Sequence, residues 1–146
     1  MAKLLIVDDD PAIRELLVTA LGADHKVTEA SDGAAAMDLV DGTFDVVILD
    51  VMMPNLDGFE VLRRIRQASA TADLPVVMLT AKVAEDDYLR GFRSGADAYV
   101  AKPFDIQELE NTLDNVMGLS KDQRAANREA EAARARLLRH LDNRFD

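Results

Sequence analysis

The sequence predicts an α/β fold in which helices cover both faces of an open parallel sheet. Three observations carry that reading. Five short apolar runs, at 3–7, 26–29, 44–49, 75–79 and 98–101, alternate with helix-like segments. The runs at 3–7, 44–49 and 75–79 are almost wholly aliphatic with no polar alternation, which suits strands buried on both faces. The segments between them open with capping residues, and strand–helix alternation at this spacing means right-handed crossovers.

The helix-like segments can be taken in turn. Asp10 before Pro11 matches an N-cap followed by proline at the first helical position. Ile13, Leu16, Leu17, Ala20 and Leu21 then share one face, and Gly22 can close the helix. Ser31 or Asp32 can start the second, ahead of Ala34-Ala35-Ala36-Met37. Asp57-Gly58-Phe59-Glu60 and Asp105-Ile106-Gln107-Glu108 each pair an Asp cap with Glu at the third helical position, a variant of the capping box. A fourth helix is expected at about 84–94, ending before Gly95.

Composition changes from Ser120 onward to Ala, Arg and Glu. Ser120-Lys121-Asp122-Gln123 is another capping-box pattern, and Gly118 is a stop for the helix before it. This divides the chain into a body at 1–118 and a helical extension at 119–146, with the helix itself at about 121–141. Ala126, Ala130, Ala133, Leu137 and Leu141 draw one weak apolar stripe along it. So short and thinly apolar a helix is marginal alone, so it must lean on the body or on a second copy of itself. A homodimer is therefore one expected partnership, and a fold-back onto the same chain the other.

The net charge of −10 is uneven, with −12 on residues 1–120 and +2 on 121–146. An acidic body argues against direct nucleic-acid binding, which needs a broad cationic footprint. No apolar run approaches the roughly 20 residues of a membrane-spanning helix. The N-terminus reaches Asp8 too soon for a signal peptide. With no cysteine, thiolate metal sites and disulfides are excluded. A cytoplasmic protein without membrane insertion is expected.

Open α/β sheets bind ligands at the carboxyl ends of their strands. The residues there are Asp8-Asp9-Asp10, Asp50, Thr80-Ala81 and Lys102-Pro103. Taken singly, each has an ordinary role as a cap, a backbone partner or a solvated charge. Together they gather several carboxylates, a hydroxyl and an ammonium at one edge. Carboxylates that close must protonate, repel or recruit a cation, and an all-oxygen set suits Mg²⁺. With Lys102 and the Thr80 hydroxyl, such a site could neutralise a transferring phosphoryl group. Asp50, which ends the central aliphatic run, is the candidate nucleophile for an aspartyl phosphate.

The ordered set Leu4-Leu5-Ile6-Val7-Asp8-Asp9-Asp10, Leu49-Asp50-Val51-Met52-Met53-Pro54-Asn55-Leu56-Asp57-Gly58, Leu79-Thr80-Ala81 and Tyr99-Val100-Ala101-Lys102-Pro103-Phe104 resembles the response-regulator receivers of two-component phosphorelays, over about residues 1–118. The resemblance implies a flavodoxin-like doubly wound sheet of strand order 2-1-3-4-5. It implies that Asp50 accepts the phosphoryl group. Asp8 and Asp9, with Asp50 and the backbone carbonyl of Met52, would hold Mg²⁺. It makes Thr80 the switch hydroxyl, Lys102 the phosphate-binding lysine before a cis proline, and Tyr99 the aromatic switch. The small Ala81 would leave room for phosphate entry. The implied donor is a sensor histidine kinase or a phosphotransfer protein, and the implied output is an altered partner-binding face whose downstream partner is unnamed. Such a receiver is no conventional enzyme, since it catalyses only its own phosphorylation and dephosphorylation. Two rivals exist. Phosphatases of the haloacid-dehalogenase type also combine Asp, Mg²⁺, Thr and Lys, but they resemble one another in a second Asp two residues after the nucleophile, where this chain has Met52. A phosphorylation-independent interaction module is the other.

Overall fold

The computed structural model describes residues 1–80 and 95–145, and side chains up to 140 except that of 139. Five parallel strands form one sheet in the order β2-β1-β3-β4-β5. They are β1 (Lys3–Val7), β2 (Lys26–Ala30), β3 (Val46–Asp50), β4 (Val76–Thr80) and β5 (Ala98–Ala101). The helices are α1 (Pro11–Leu21), α2 (Gly33–Leu39), α3 (Gly58–Gln67), α4 (Ile106–Gly118) and α5 (Lys121–Phe145). The segment expected as a helix at 84–94 lies outside the described residues, as does Ala81.

The aliphatic runs are central strands because each supplies apolar side chains to two layers at once. Leu5, Val7, Val47, Leu49, Val76 and Met78 face one way, onto Ala36 of α2 and Phe59, Val61, Leu62 and Ile65 of α3. Leu4, Ile6, Val46, Ile48, Val77 and Leu79 face the other, onto Leu17 and Leu21 of α1 and Leu109, Leu113 and Val116 of α4. Period-two alternation thus feeds both cores.

The caps form as expected. Asp10 accepts from Ala12 N–H at 2.9 Å, Asp32 rather than Ser31 from Ala35 N–H at 2.7 Å, and Asp57 from Glu60 N–H at 2.9 Å. Asp105 accepts from Gln107 N–H at 2.7 Å. At α5 the box is reciprocal, with Gln123 N–H donating to Ser120 Oγ at 3.1 Å and Ser120 N–H to Gln123 Oε1 at 2.8 Å. Leu16 departs from expectation: it is 47% exposed, because the buried stripe of α1 narrows to Leu17 and Leu21. Gly118 is the last residue of α4 rather than its stop, and Leu119 takes the cap position.

The extension folds back on its own body, on a face other than the alanine stripe. Ala126, Ala130, Ala133 and Leu137 are exposed, while Arg124, Arg128, Ala135 and Leu138 turn inward. Arg128 Nη1 donates to Asp97 at 2.8 Å and its Nη2 approaches Asp73 at 3.4 Å, while Ala135 packs on Tyr99 with Leu138 beside it. Carboxylates at the amino ends of β4 and β5 attract the arginine seam, and the alanines bury too little area to compete. No helix among the described residues is long and apolar enough to cross a membrane.

Candidate functional site

Strand register assembles the site. β1 and β3 pair Val7 with Leu49, so the next residues, Asp8 and Asp50, lie side by side. β4 and β5 pair Thr80 with Ala101, so Lys102 emerges one step beyond Thr80. Asp8, Asp50 and Thr80 are buried, whereas Asp9 is exposed at the rim. The Lys102–Pro103 peptide is cis, as expected.

Carboxylate oxygens of Asp8, Asp9 and Asp50 all lie within 4.8 Å of one another. Lys102 Nζ bridges two of them, donating to Asp8 Oδ2 at 2.7 Å and approaching Asp50 Oδ1 at 3.4 Å. Asp8 Oδ1 accepts from Asp10 N–H at 2.9 Å, and Asp50 Oδ1 from Met52 N–H at 3.3 Å. Burial first, and then the adjacent Asp8 charge, push the Asp50 carboxyl up to about 7, against the pull of Lys102. Burial opposes the charged form of Lys102, yet its hydrogen bond to Asp8 and the negative charges of Asp50 and Asp8 hold its pKa above the usual value.

Three carboxylates and one ammonium leave a local excess of negative charge. Oxygen donors this close and this acidic fit a hard divalent cation of the Mg²⁺ kind. The Met52 side chain is 66% exposed, so no thioether competes for the site, while Met53 is buried in the core.

Two contacts that shape the site were not legible in the sequence. Arg14 Nη1 donates to the Asp8 backbone carbonyl at 2.7 Å and so fixes the β1–α1 turn. Gly58 opens α3 directly against β3, and its N–H donates to Val51 C=O at 3.0 Å. A Cβ at residue 58 would collide with the Asp50 carbonyl oxygen and lie 2.9 Å from Val51 Cα. The turn leading there passes through Asn55 with φ 68°, a left-handed conformation that Asn tolerates. Gly58→Ala should therefore lower the urea midpoint despite alanine's higher helix propensity, at a cost of about 1–3 kcal/mol. Urea denaturation followed by circular dichroism measures it, and an unchanged or raised midpoint would contradict the close-approach account.

The sequence profile of the response regulator receiver domain matches residues 4–114. The chain belongs to the response-regulator receiver family. Among curated relatives of this receiver, the DNA-binding dual master transcriptional regulator RpaA of Synechocystis is 46% identical over 111 residues, covering 75% of this chain and 46% of RpaA. The response regulator Rre1 of Synechocystis is 37% identical over 135 residues, covering 90% of this chain and 58% of Rre1. The receiver thus spans about half the length of these relatives. Among solved structures, the Vibrio cholerae chemotaxis protein CheY4 superposes with a TM-score of 0.72 at 36% identity, covering 80% of this chain and 98% of that one. Receivers of this family typically bind Mg²⁺ in an acidic pocket, and the family's response regulators interact with histidine kinases.

Proposed function

We propose that this chain is a phosphorylation-controlled switch that takes a phosphoryl group on Asp50 from a histidine kinase or phosphotransfer protein in the cytoplasm. The observation that carries the reading is Lys102 bridging Asp8 and Asp50 inside the three-carboxylate cluster. Asp8, Asp9, Asp50 and the Met52 carbonyl would hold Mg²⁺. That ion would neutralise charge on the carboxylates and on the incoming phosphoryl oxygens.

The residues of the chain do the remainder. An ionised Asp50 oxygen attacks phosphorus. The O–P bond forms as the P–N bond to the donor imidazole breaks, and that bonding pair returns to the nitrogen. Lys102 shifts from its carboxylate partners to a phosphoryl oxygen, and the Thr80 hydroxyl donates to another. Tyr99 lies opposite Met78, which precedes Thr80 by two residues on the same sheet face, so movement at Thr80 is felt at Tyr99. The product is a shifted population of surface states, and no substrate is released. Phosphatases of the haloacid-dehalogenase type resemble one another in an acid/base Asp two residues after the nucleophile, and Met52 at that position cannot act as one.

Incubation with acetyl phosphate should add one phosphoryl group per chain only when Mg²⁺ is present, with no steady hydrolysis of a generic phosphomonoester. Labelling indifferent to EDTA would remove the metal from the account, and sustained turnover would favour the phosphatase reading.

A further inference from the structure

We infer that the surface formed by Tyr99, Asp97 and Asp73 is a helix-docking face, occupied in this chain by its own α5, and that phosphorylation frees the distal half of that helix. The second half of this inference rests on the function proposed above. The docked seam is Arg124, Arg128, Glu131, Ala135 and Leu138, with spacings of four and three that keep one face turned inward.

Its two ends are held by different chemistry. At the proximal end Asp97, whose side chain is 4% exposed, binds two guanidinium groups. Arg66 of α3 donates to Asp97 Oδ2 at 2.9 Å and Arg128 to Oδ1 at 2.8 Å. Val76 N–H also donates to Oδ2 at 2.8 Å, and Arg66 Nε to Gly95 C=O at 2.9 Å, so this anchor is built into the starts of β4 and β5. Lys121 adds an ion pair to Asp73 at 3.2 Å. Burial lowers Arg66 to about 10, with Arg128 adding to the effect and Asp97 opposing it, so the Arg66 guanidinium stays charged at neutral pH.

At the distal end, among the described residues, the helix packs through apolar contact with Tyr99. Ala135, 2% exposed, packs against Tyr99, with Leu138 of the same helix beside it. Tyr99 is packed at the same time against the core beneath it. If Tyr99 moves toward that core when Thr80 turns to the phosphoryl group, Ala135 and Leu138 lose their seat, while the Asp97 anchor does not change. The helix then stays attached through Arg128 and opens beyond Glu131. This exposes Ala135 and Leu138 and vacates the apolar seat at Tyr99, while Asp97 stays occupied by Arg128.

Hydrogen exchange read by mass spectrometry on the full chain, with and without acetyl phosphate and Mg²⁺, tests this. Intact mass in the same samples reports phosphorylation. Exchange at 131–138 should rise about tenfold or more on phosphorylation while 121–128 stays protected, and the Asp50→Asn chain should show neither change. A phosphorylated chain with unchanged exchange at 131–138 overturns the release. Absence of a mass shift overturns the proposed phosphorylation and the release with it. Docking itself is read without phosphate, from opposite ends of the seam: Arg128→Glu and Ala135→Arg should each raise exchange along α5. If both leave it unchanged, the docking face is refuted.

Discussion

Lys102→Met should slow labelling of Asp50 by acetyl phosphate by about 100-fold or more, the usual cost of losing one preorganised charge donor from a transfer site. The expectation follows from the position of Lys102, whose ammonium reaches both buried carboxylates at 2.7 and 3.4 Å. Methionine keeps the length of the stem and removes the charge. Two effects then act in the same direction. The incoming phosphoryl oxygens lose a partner, and Asp50 loses the charge that offsets burial and Asp8, so less of it is ionised at neutral pH. Initial rates of intact-mass shift at saturating Mg²⁺ measure the change. Raising the pH should recover only the part due to ionisation, and a rate within a few-fold of the unaltered chain would mean that Lys102 bridges the carboxylates without touching the phosphoryl group.

The second large effect is on stability. Asp50 is held at about 7 in the fold, against an unfolded value of about 3.9. Between those values the folded state binds more protons than the unfolded one, so the Asp50 contribution falls as pH rises from about 4 to 7 and then levels off. Asp50→Asn removes the titrating charge but keeps the shape. In metal-free buffer the variant should match the unaltered chain near pH 4 and exceed it at pH 8 by on the order of 1–2 kcal/mol, after allowing for screening through the open rim of the site. Urea midpoints at the two pH values decide it. Equal stability at pH 8 would mean that Lys102 already compensates the buried charge, and Mg²⁺ should narrow the gap by binding the unaltered chain more tightly than the variant.

The strands and the candidate site were legible because each depends on residues adjacent in sequence to a strong local signal. The aliphatic runs mark β1, β3 and β4, and the residues immediately after the strands, Asp8, Asp50, Thr80 and Lys102, needed only the parallel-sheet rule to be brought together. The seating of α5 was not legible. Its alanine stripe was the visible pattern, but what orients the helix is a pair of carboxylates, Asp73 and Asp97, that gain meaning only when β4 and β5 are side by side. Charged residues such as Arg66 and Arg128 read as solvated until a buried partner is placed beside them. Gly58 was legible as part of a capping box, whereas its contact with the Asp50 carbonyl is a tertiary fact. Leu16 was misplaced because a helix of eleven residues can satisfy its neighbours with a narrower stripe than its apolar residues suggest.

Peptide mapping by mass spectrometry after exposure to a phosphodonor, with borohydride trapping of the acyl phosphate, puts the central claim to its most direct test. The account predicts a single modified residue, Asp50, lost in Asp50→Ala and after chelation of Mg²⁺. Modification that persists in Asp50→Ala, or that maps to a residue away from the Asp8, Asp9 and Asp50 cluster, would contradict it.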